Sequence, residues 1–352
     1  MLRDLTIQNY RCFQNFYIDN LARVNLIVGM NNSGKTSLLE AVYLLVNQGE
    51  IQRSLIELLK IRGEIKKDEQ SSLSNEFLQL NSEEIKNIFY SYQINNNLPI
   101  QIKSQKQYII SFDIQPQTKK QNFFTPKNIE ILFSYSSDLH GQINLQGKIK
   151  LHSDGTISRE GNSFFMPSQF LTIGTLSFKD MAELWNSILL TPLENKVIEA
   201  LQILEPSVER IGFTSHPTSH DGILLKVSEY PSPIPLVSMG DGMRRILAIA
   251  LAAVTVENGF LLVDEIDTGL YYETQTDMWS FVFSVAKQLN VQVFATTHSW
   301  DCIAAFAEAC AQSKDNSSGK LFRLSRRDEN IRVVEYTPDE LSIAVRQSIE
   351  VR

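Results

Sequence analysis

The sequence predicts an α/β fold with a mainly parallel core sheet, and three observations carry that expectation. Val24-Asn25-Leu26-Ile27-Val28 and Phe260-Leu261-Leu262-Val263 are short, nearly continuous apolar runs, the pattern of strands covered on both faces. Residues 291–295 form a third such run, and 274–289 before it has helical spacing, so 260–295 reads as strand, helix, strand. The first run stops at Gly29. From Lys35 onward Leu38, Leu39, Val42, Leu45 and Val46 recur at helical period.

The remaining elements follow in order. Leu5 and Ile7 alternate with polar neighbours and 16–18 is a second short run, so the chain starts in strands. Helix-like pieces at 51–61 and 83–90 flank a charged, serine-rich linker at 66–75. Between about 100 and 160 the period is close to two, with Gly and Asn turns, which predicts antiparallel strands at 109–114, 129–135 and 143–151. Helices are expected at 179–190 and 192–204, strands at 208–213 and 223–227, and a Pro-rich turn at 231–235. A long helix at 243–257 is closed by Asn258-Gly259. Strands at 320–324 and 331–336 and a final short helix complete the chain, with no internal repeat and no sustained heptads.

Composition bounds what the chain does. At 352 residues, 43% hydrophobic and 21% charged, it has enough chain for a real core and a soft expectation of two domains, or of one with a large insertion. The formal charge of −7 disfavours a whole-surface contact with nucleic acid and leaves room only for a local basic groove. Cys12, Cys302 and Cys310 are too few and too scattered for a disulfide framework or a zinc ribbon, so reduced cytosolic thiols are expected. The longest apolar stretch, 246–256, falls far short of the roughly 20 residues that span a bilayer. Charges interrupt the only N-terminal stretch that could serve as a signal peptide, and the expected location is cytoplasmic.

Four motifs carry chemistry. Gly29-Met30-Asn31-Asn32-Ser33-Gly34-Lys35-Thr36 is GxxxxGKT between a buried strand and an amphipathic helix. In that context backbone N–H groups wrap phosphates, the glycines permit close approach and the helix N-terminus adds its dipole; Ser37 continues the turn. Lys35 is the residue for β- and γ-phosphates and Thr36 the ligand for Mg²⁺. Asp264 and Glu265 end the second apolar strand at the edge where ligands of open α/β sheets bind; Asp264 suits a metal shell and Glu265 a general base. His298 ends the neighbouring run and is placed to sense a γ-phosphate. Finally, Gly240-Asp241-Gly242 precedes a long helix and offers a second anion site, which one phosphate pocket cannot use within its own subunit and a second subunit can. The plainer reading of that segment is an N-terminal cap at Asp241 with Arg244 and Arg245 in solvent.

The order of these motifs resembles the ATPase heads of the SMC/RecF/OLD group, within the ABC-type P-loop ATPases. The likeness rests on Leu5-Thr6-Ile7-Gln8-Asn9-Tyr10-Arg11-Cys12-Phe13, on Val24 to Gly29, on Leu38-Leu39-Glu40-Ala41 and on the motifs just described, covering 1–47 and about 177–310. It implies an ATPase head with an N-terminal part at 1–47, a helical insertion at 48–100, an antiparallel β lobe at 101–176, a segment of helices and strands at 177–230 and a C-terminal part at 231–352. It further implies that Arg11 touches nucleotide, that Asn31 to Ser37 cradle ATP, and that Gly240, Asp241 and Gly242 form a signature loop acting across a dimer. Asp264 and Glu265 become the Walker B pair, Asp267 opens the D-loop, His298 is the switch histidine and Gln169 the candidate lid glutamine. Two departures stand out: Gly240 occupies the signature serine position, and Tyr271 stands where OLD-type relatives have His.

The residues after His298 hold no Asp-x-Asp of a Toprim nuclease, and 48–180 shows no coiled-coil arm. The expectation is a Mg²⁺-dependent ATPase that forms a homodimer around two ATP molecules. It would control a separate nuclease- or toxin-like effector in antiphage defence or DNA maintenance. The alternative is a RecF-like repair clamp whose hold on DNA is gated by ATP. A transporter ATPase fits the N-terminal pattern poorly, and Glu265 argues against a switch that does not hydrolyse. His216, His220 and Asp221 read as a surface loop, Lys66-Lys67 and Lys119-Lys120 as solvated charge, and Arg323, Arg326 and Arg327 as the one basic cluster suited to a DNA groove.

Overall fold

The computed structural model describes residues 1–65, 86–93, 98–105, 109–118, 129–138, 144–151, 157–161, 166–172, 174, 176–214, 222–313, 318–327 and 330–352. The linker 66–75, Lys119-Lys120 and the His216, His220, Asp221 group lie outside the described residues. The chain divides into two compact units built from interleaved segments. One comprises Met1–Leu21, Asn31–Met166 and Leu324–Val333; the other Ala22–Met30, Pro167–Arg323 and Val334–Arg352.

In the first unit, β1 (Leu5–Tyr10) and β2 (Phe13–Ile18) form a hairpin. The other edge of β1 takes β4 (Ile100–Ser104), followed in turn by β5 (Ile109–Thr118), β6 (Ile129–Asp138), β7 (Asn144–Leu151) and β8 (Ile157–Gly161), every described pairing being antiparallel. The alternation in 100–160 thus produces the strands it predicts, but they extend the N-terminal hairpin instead of forming a sheet of their own. The same unit holds α1 (Lys35–Val46) and α2 (Ile51–Ile61). Helix α1 has Leu38, Leu39, Ala41, Val42, Leu44, Leu45 and Val46 all fully buried, as expected of a helix apolar nearly all round. Where a helix was expected at 83–90, the described residues form two short 3₁₀ turns, Lys86–Ile88 and Tyr90–Tyr92.

The second unit is organised by the sheet that the apolar runs predict. Strand β3 (Val24–Val28) is flanked in parallel by β14 (Gln292–Thr296) and by residues 319–323 of β15 (Gly319–Arg327). Beyond β14 come β13 (Phe260–Val263) and β9 (Ser168–Leu171), both parallel, while β16 (Asn330–Tyr336) lies beside β15. Strand β9 falls inside the stretch 101–176 and joins this parallel sheet. A small antiparallel sheet of β10 (Val208–Phe213), β11 (Ile223–Val227) and β12 (Ile234–Pro235) stands apart. Helices α3 (Phe178–Ile188), α4 (Pro192–Leu201), α5 (Asp241–Val254), α6 (Gln275–Gln288), α7 (Trp300–Gln312) and α8 (Pro338–Arg346) complete the unit. Among the described residues no helix is long and apolar enough to cross a membrane.

One core fills this unit: Val24, Leu26, Leu261, Val263, Val293 and Ala295 from the sheet meet Leu247, Leu251, Met278, Trp279 and Phe306 from the helices. Burial also governs the thiols. Cys302 and Cys310 lie in α7 at 0% and 4% exposure, and burial raises both pKa values, that of Cys310 to about 12. Cys12 is half-buried and burial raises its pKa too. Titration of the native chain with a thiol reagent near neutral pH is therefore expected to show at most one promptly reacting cysteine, and all three after unfolding. Prompt reaction of Cys302 would contradict this packing.

Candidate active site

Parallel strands place their carboxyl ends side by side. Val263 pairs with Ala295 and with Leu171, and Thr296 with Ile27, so Gly29, Thr297-His298, Asp264-Glu265 and Thr172 emerge along one edge of the second unit. This is the edge where open α/β sheets bind ligands. Asp264 is 6% exposed, and its Oδ1 accepts a 2.6 Å hydrogen bond from the Thr296 hydroxyl. The same hydroxyl oxygen accepts from the Glu265 backbone N–H at 2.9 Å. Thr297 repeats the device: it donates to Asp267 Oδ1 at 2.6 Å and accepts from Ser299 N–H at 2.9 Å. Two adjacent threonines of β14 and its exit thus orient the carboxylates that follow β13.

Glu265 has φ 50, a left-handed conformation that costs a non-glycine residue energy and clusters at functional positions. Its carboxylate oxygens stand 3.2 and 3.1 Å from His298 Nδ1. The Glu265 side chain is 15% exposed and that of His298 59%, so the pair opens to solvent on the imidazole side. His298 therefore lies just past the end of β14, the strand next to the Asp-Glu strand, where the apolar runs place it. Nothing in the sequence singles out Thr296 or Thr297, because threonine is an ordinary strand residue. Thr296→Val keeps the volume but removes a donor to a buried carboxylate and an acceptor for Glu265. Loss of such a bond costs about 1–3 kcal/mol. A fall in phosphate release of about tenfold or more is expected, with little change in fold by circular dichroism, and wild-type turnover would show that the hydroxyl orients nothing.

The Gly240–Gly242 segment belongs to the same unit. Helix α5 begins at Asp241, two residues earlier than the apolar spacing indicates, with Gly240 as N-cap at φ 85 and no side-chain cap. Asp241 is thus the first helical residue and not the cap. A Cβ on Gly242 would stand 2.9 Å from the Gly269 carbonyl, so the first turn of α5 packs directly on the turn after Asp267. Arg245 departs from the plainer reading of this segment: it is 2% exposed, not solvated. Gln169 lies within β9, opposite Leu261.

The first unit carries the rest of the loop. Asn31 and Asn32 are exposed, Asn32 at φ 62, while Ser33 and Lys35 are 2% and 7% exposed. Gly34 has φ 97, and a Cβ there would meet Cys12 Sγ, Phe13 Cζ and Ile331 Cδ1 at 3.0 Å each, so glycine alone fits. No side chain caps α1, and Ser33 Oγ is buried without a hydrogen-bond partner among the described residues. An uncapped helix start beside an orphaned buried hydroxyl fits a phosphate.

Behind this turn lies a charge network. Glu40, 0% exposed, takes Arg11 Nε at 2.7 Å and Arg62 Nε at 2.5 Å, and Arg62 also donates to Ser37 Oγ at 3.1 Å. Arg11 reaches Glu64 with both terminal nitrogens, at 2.8 and 3.2 Å. Burial and the Glu40 charge raise the Tyr10 pKa, keeping the phenol protonated as a 3.2 Å donor to Glu40. Arg11 therefore engages carboxylates of its own chain, its side chain only 6% exposed. Removing one member of a buried ion pair costs about 3–5 kcal/mol. Glu40→Ala is expected to lower the unfolding free energy by about that amount in a urea titration, and an unchanged midpoint would show the two arginines to be held by other groups.

Among the described residues no cluster of three or more His, Cys, Asp or Glu could hold a metal ion. A Mg²⁺ held by a hydroxyl, one carboxylate and substrate phosphates needs no such cluster.

A strand–GxxxxGKT–helix unit and an Asp-Glu strand end with its neighbouring histidine define the class: an SMC/RecF-like P-loop ATPase. The chain belongs to the AAA ATPase domain family, which matches residues 1–189 and 175–303. An ATP/GTP phosphatase of Helicobacter pylori is 24% identical over 360 residues, 94% of each chain. RecF, a DNA replication and repair protein, of Staphylococcus carnosus is 36% identical over 72 residues, 18% of this chain and 20% of that one. In fold the chain is similar to an SMC head bound to the C-winged helix domain of ScpA, with a TM-score of 0.51, 14% identity and coverage of 96% and 97%.

Proposed function

We propose that this ATPase binds ATP with Mg²⁺, hydrolyses it with Glu265 as general base, and pairs with a second copy while ATP is bound. The observation that carries the reading is the carboxyl edge itself, where Thr296 orients both Asp264 and Glu265, and His298 faces the Glu265 carboxylate. Lys35 binds the β- and γ-phosphates, Thr36 and Asp264 hold the metal, and the backbone of Asn31 to Ser37 wraps the phosphate chain. Bound Mg²⁺ supplies neutralisation of phosphate charge. Glu265 takes the proton of the attacking water, and His298 orients that carboxylate from its Nδ1 side. The uncapped Gly240–Gly242 turn is the surface for the γ-phosphate held by the partner copy.

Hydrolysis separates the copies, and the cycle switches a separate effector of nuclease or toxin type in antiphage defence or DNA maintenance, a role that fits an OLD-like head in the cytoplasm. Three measurements test this: phosphate release by the purified chain with ATP and Mg²⁺, mass by light scattering with and without ATP, and co-purification with the products of neighbouring genes. Release without pairing removes the dimer; pairing without a co-purifying protein removes the effector.

A RecF-like DNA clamp is the second reading, favoured by the 72-residue likeness to RecF and by Arg326 and Arg327, exposed at the end of β15. It requires ATP-dependent DNA binding that weakens steeply with salt.

A further inference from the structure

Arg245 is a charged side chain in the fully buried part of α5, 2% exposed, and such residues are almost never buried without a specific partner. Its hydrogen bonds go to backbone carbonyls: Nη1 donates to Thr172 O at 2.7 Å, and Nη2 to Asp264 O and Glu265 O at 2.8 Å each. Nε has no partner among the described residues. Burial lowers the Arg245 pKa, and the charges of Asp267, Asp264 and Glu265 oppose that shift. A buried guanidinium with one unmet donor is an expensive way to anchor a helix. What it holds explains its presence.

Glu265 sits at φ 50, and strain of this kind persists only where the surroundings impose it. Both peptide groups flanking Glu265 are pinned. Its N–H is held by Thr296 Oγ1, the preceding carbonyl by Arg245, and its own carbonyl by the same Arg245 nitrogen. With both peptide planes fixed, the direction in which the Glu265 side chain leaves the backbone is fixed as well. The third carbonyl, Thr172, belongs to the exit of β9, the strand beside β13. One side chain thus ties two adjacent strand ends to α5. Arg245 stands one turn from Gly240–Gly242, and that first turn already packs on Gly269.

We propose that Arg245 is the positioning residue for Glu265, and that it makes the glycine turn of α5 and the general base a single mechanical element. This deepens the function proposed above and rests on it. A phosphate seated on Gly240–Gly242 moves α5, α5 carries the guanidinium, and the guanidinium sets the peptides on either side of Glu265. Each copy of a dimer then readies its own base when it receives the partner's nucleotide, so hydrolysis at the two sites is coupled.

The test uses the full chain with Arg245→Met, which keeps length and apolar volume, and Arg245→Lys, which keeps the charge but cannot span three carbonyls. For Arg245→Met a fall in kcat of about a hundredfold is expected from a misplaced base, with the Kd of a fluorescent ATP analogue changed by no more than about twofold. Arg245→Lys should recover part of kcat. In a Glu265→Gln background, Arg245→Met should change the residual rate by less than about twofold, since residues that act through one another are non-additive. Amide hydrogen exchange at residues 264–268 should rise in Arg245→Met whether or not the wild-type chain turns over ATP.

Wild-type kcat in Arg245→Met overturns the proposal, as does a parallel loss of kcat and nucleotide affinity, or additivity with Glu265→Gln. If Arg245→Met fails to fold, Arg245→Lys decides: a normal kcat overturns the proposal, and a reduced kcat with retained affinity supports it. A wild-type chain that binds ATP without releasing phosphate removes the proposed activity, and the exchange measurement then judges Arg245 alone.

Discussion

Replacing Glu265 by Gln is expected to leave a chain that binds ATP, releases phosphate at least about a hundredfold more slowly, and accumulates as an ATP-dependent dimer in light scattering. The substitution is nearly isosteric, so the backbone contacts of residue 265 to Thr296 and Arg245 are retained. What is lost is the carboxylate. An amide cannot take the proton of an attacking water, and general-base assistance contributes about 10²–10⁴ in rate. Since ATP holds the copies together in this scheme, blocking hydrolysis should trap the complex. A monomer under saturating ATP, or phosphate release at the wild-type rate, would remove Glu265 from the role assigned to it.

Lys35→Ala should act one step earlier. Lys35 opens α1 directly after Gly34, where no side chain caps the helix, and it is 7% exposed. Truncation removes the cation from the proposed phosphate site and leaves the helix dipole and backbone amides in place. A hydrogen bond to a charged group contributes about 1.5–3 kcal/mol, so nucleotide affinity should fall by about ten- to a hundredfold or more, with dimerisation and phosphate release falling in step. Equilibrium binding of a fluorescent ATP analogue reads the effect directly. Unaltered affinity would mean that the GxxxxGKT turn is not the phosphate site. The two variants also differ in kind, since Glu265→Gln should pair more persistently than wild type and Lys35→Ala less.

Much of the fold was legible because its determinants are local. Apolar runs ending in Gly29 and Asp264 specify buried parallel strands, and alternation between 109 and 151 specifies antiparallel ones; both are read from neighbours in sequence. Helix α7 was not singled out, since its alanines at 304, 305, 307, 309 and 311 mute the periodicity that marks a helix. The order of strands was not legible either. Nothing near Leu5 announces that β1 pairs with a strand about a hundred residues on. In the site, the residue types that end strands were visible, but those that orient them were not. Thr296 looks like any strand residue, and Arg245 follows Arg244 at the start of a helix, where a charge ordinarily faces water. Their roles come from partners 19 to 73 residues away, which spacing does not encode. Arg11 shows the same limit from the other side, because its carboxylate partners Glu40 and Glu64 are distant in sequence.

The hairpin at the start of the chain has a practical consequence. Strand β1 is bonded on both sides, by β2 and by β4, and everything from β5 to β8 is stacked outward from that line. A shortened chain lacking 98–165 would not lose a detachable appendage. It would bare the edge of β1 that β4 covers at Thr6, Ile7 and Gln8, unpaired backbone donors and acceptors of the kind that recruits other chains into aggregates. Trimming the sheet from β8, its last strand among the described residues, only moves the rim inward to β7 and should be tolerated much further. A nested series of deletions, scored by solubility, should therefore decline gently from the outside and collapse when β4 is removed.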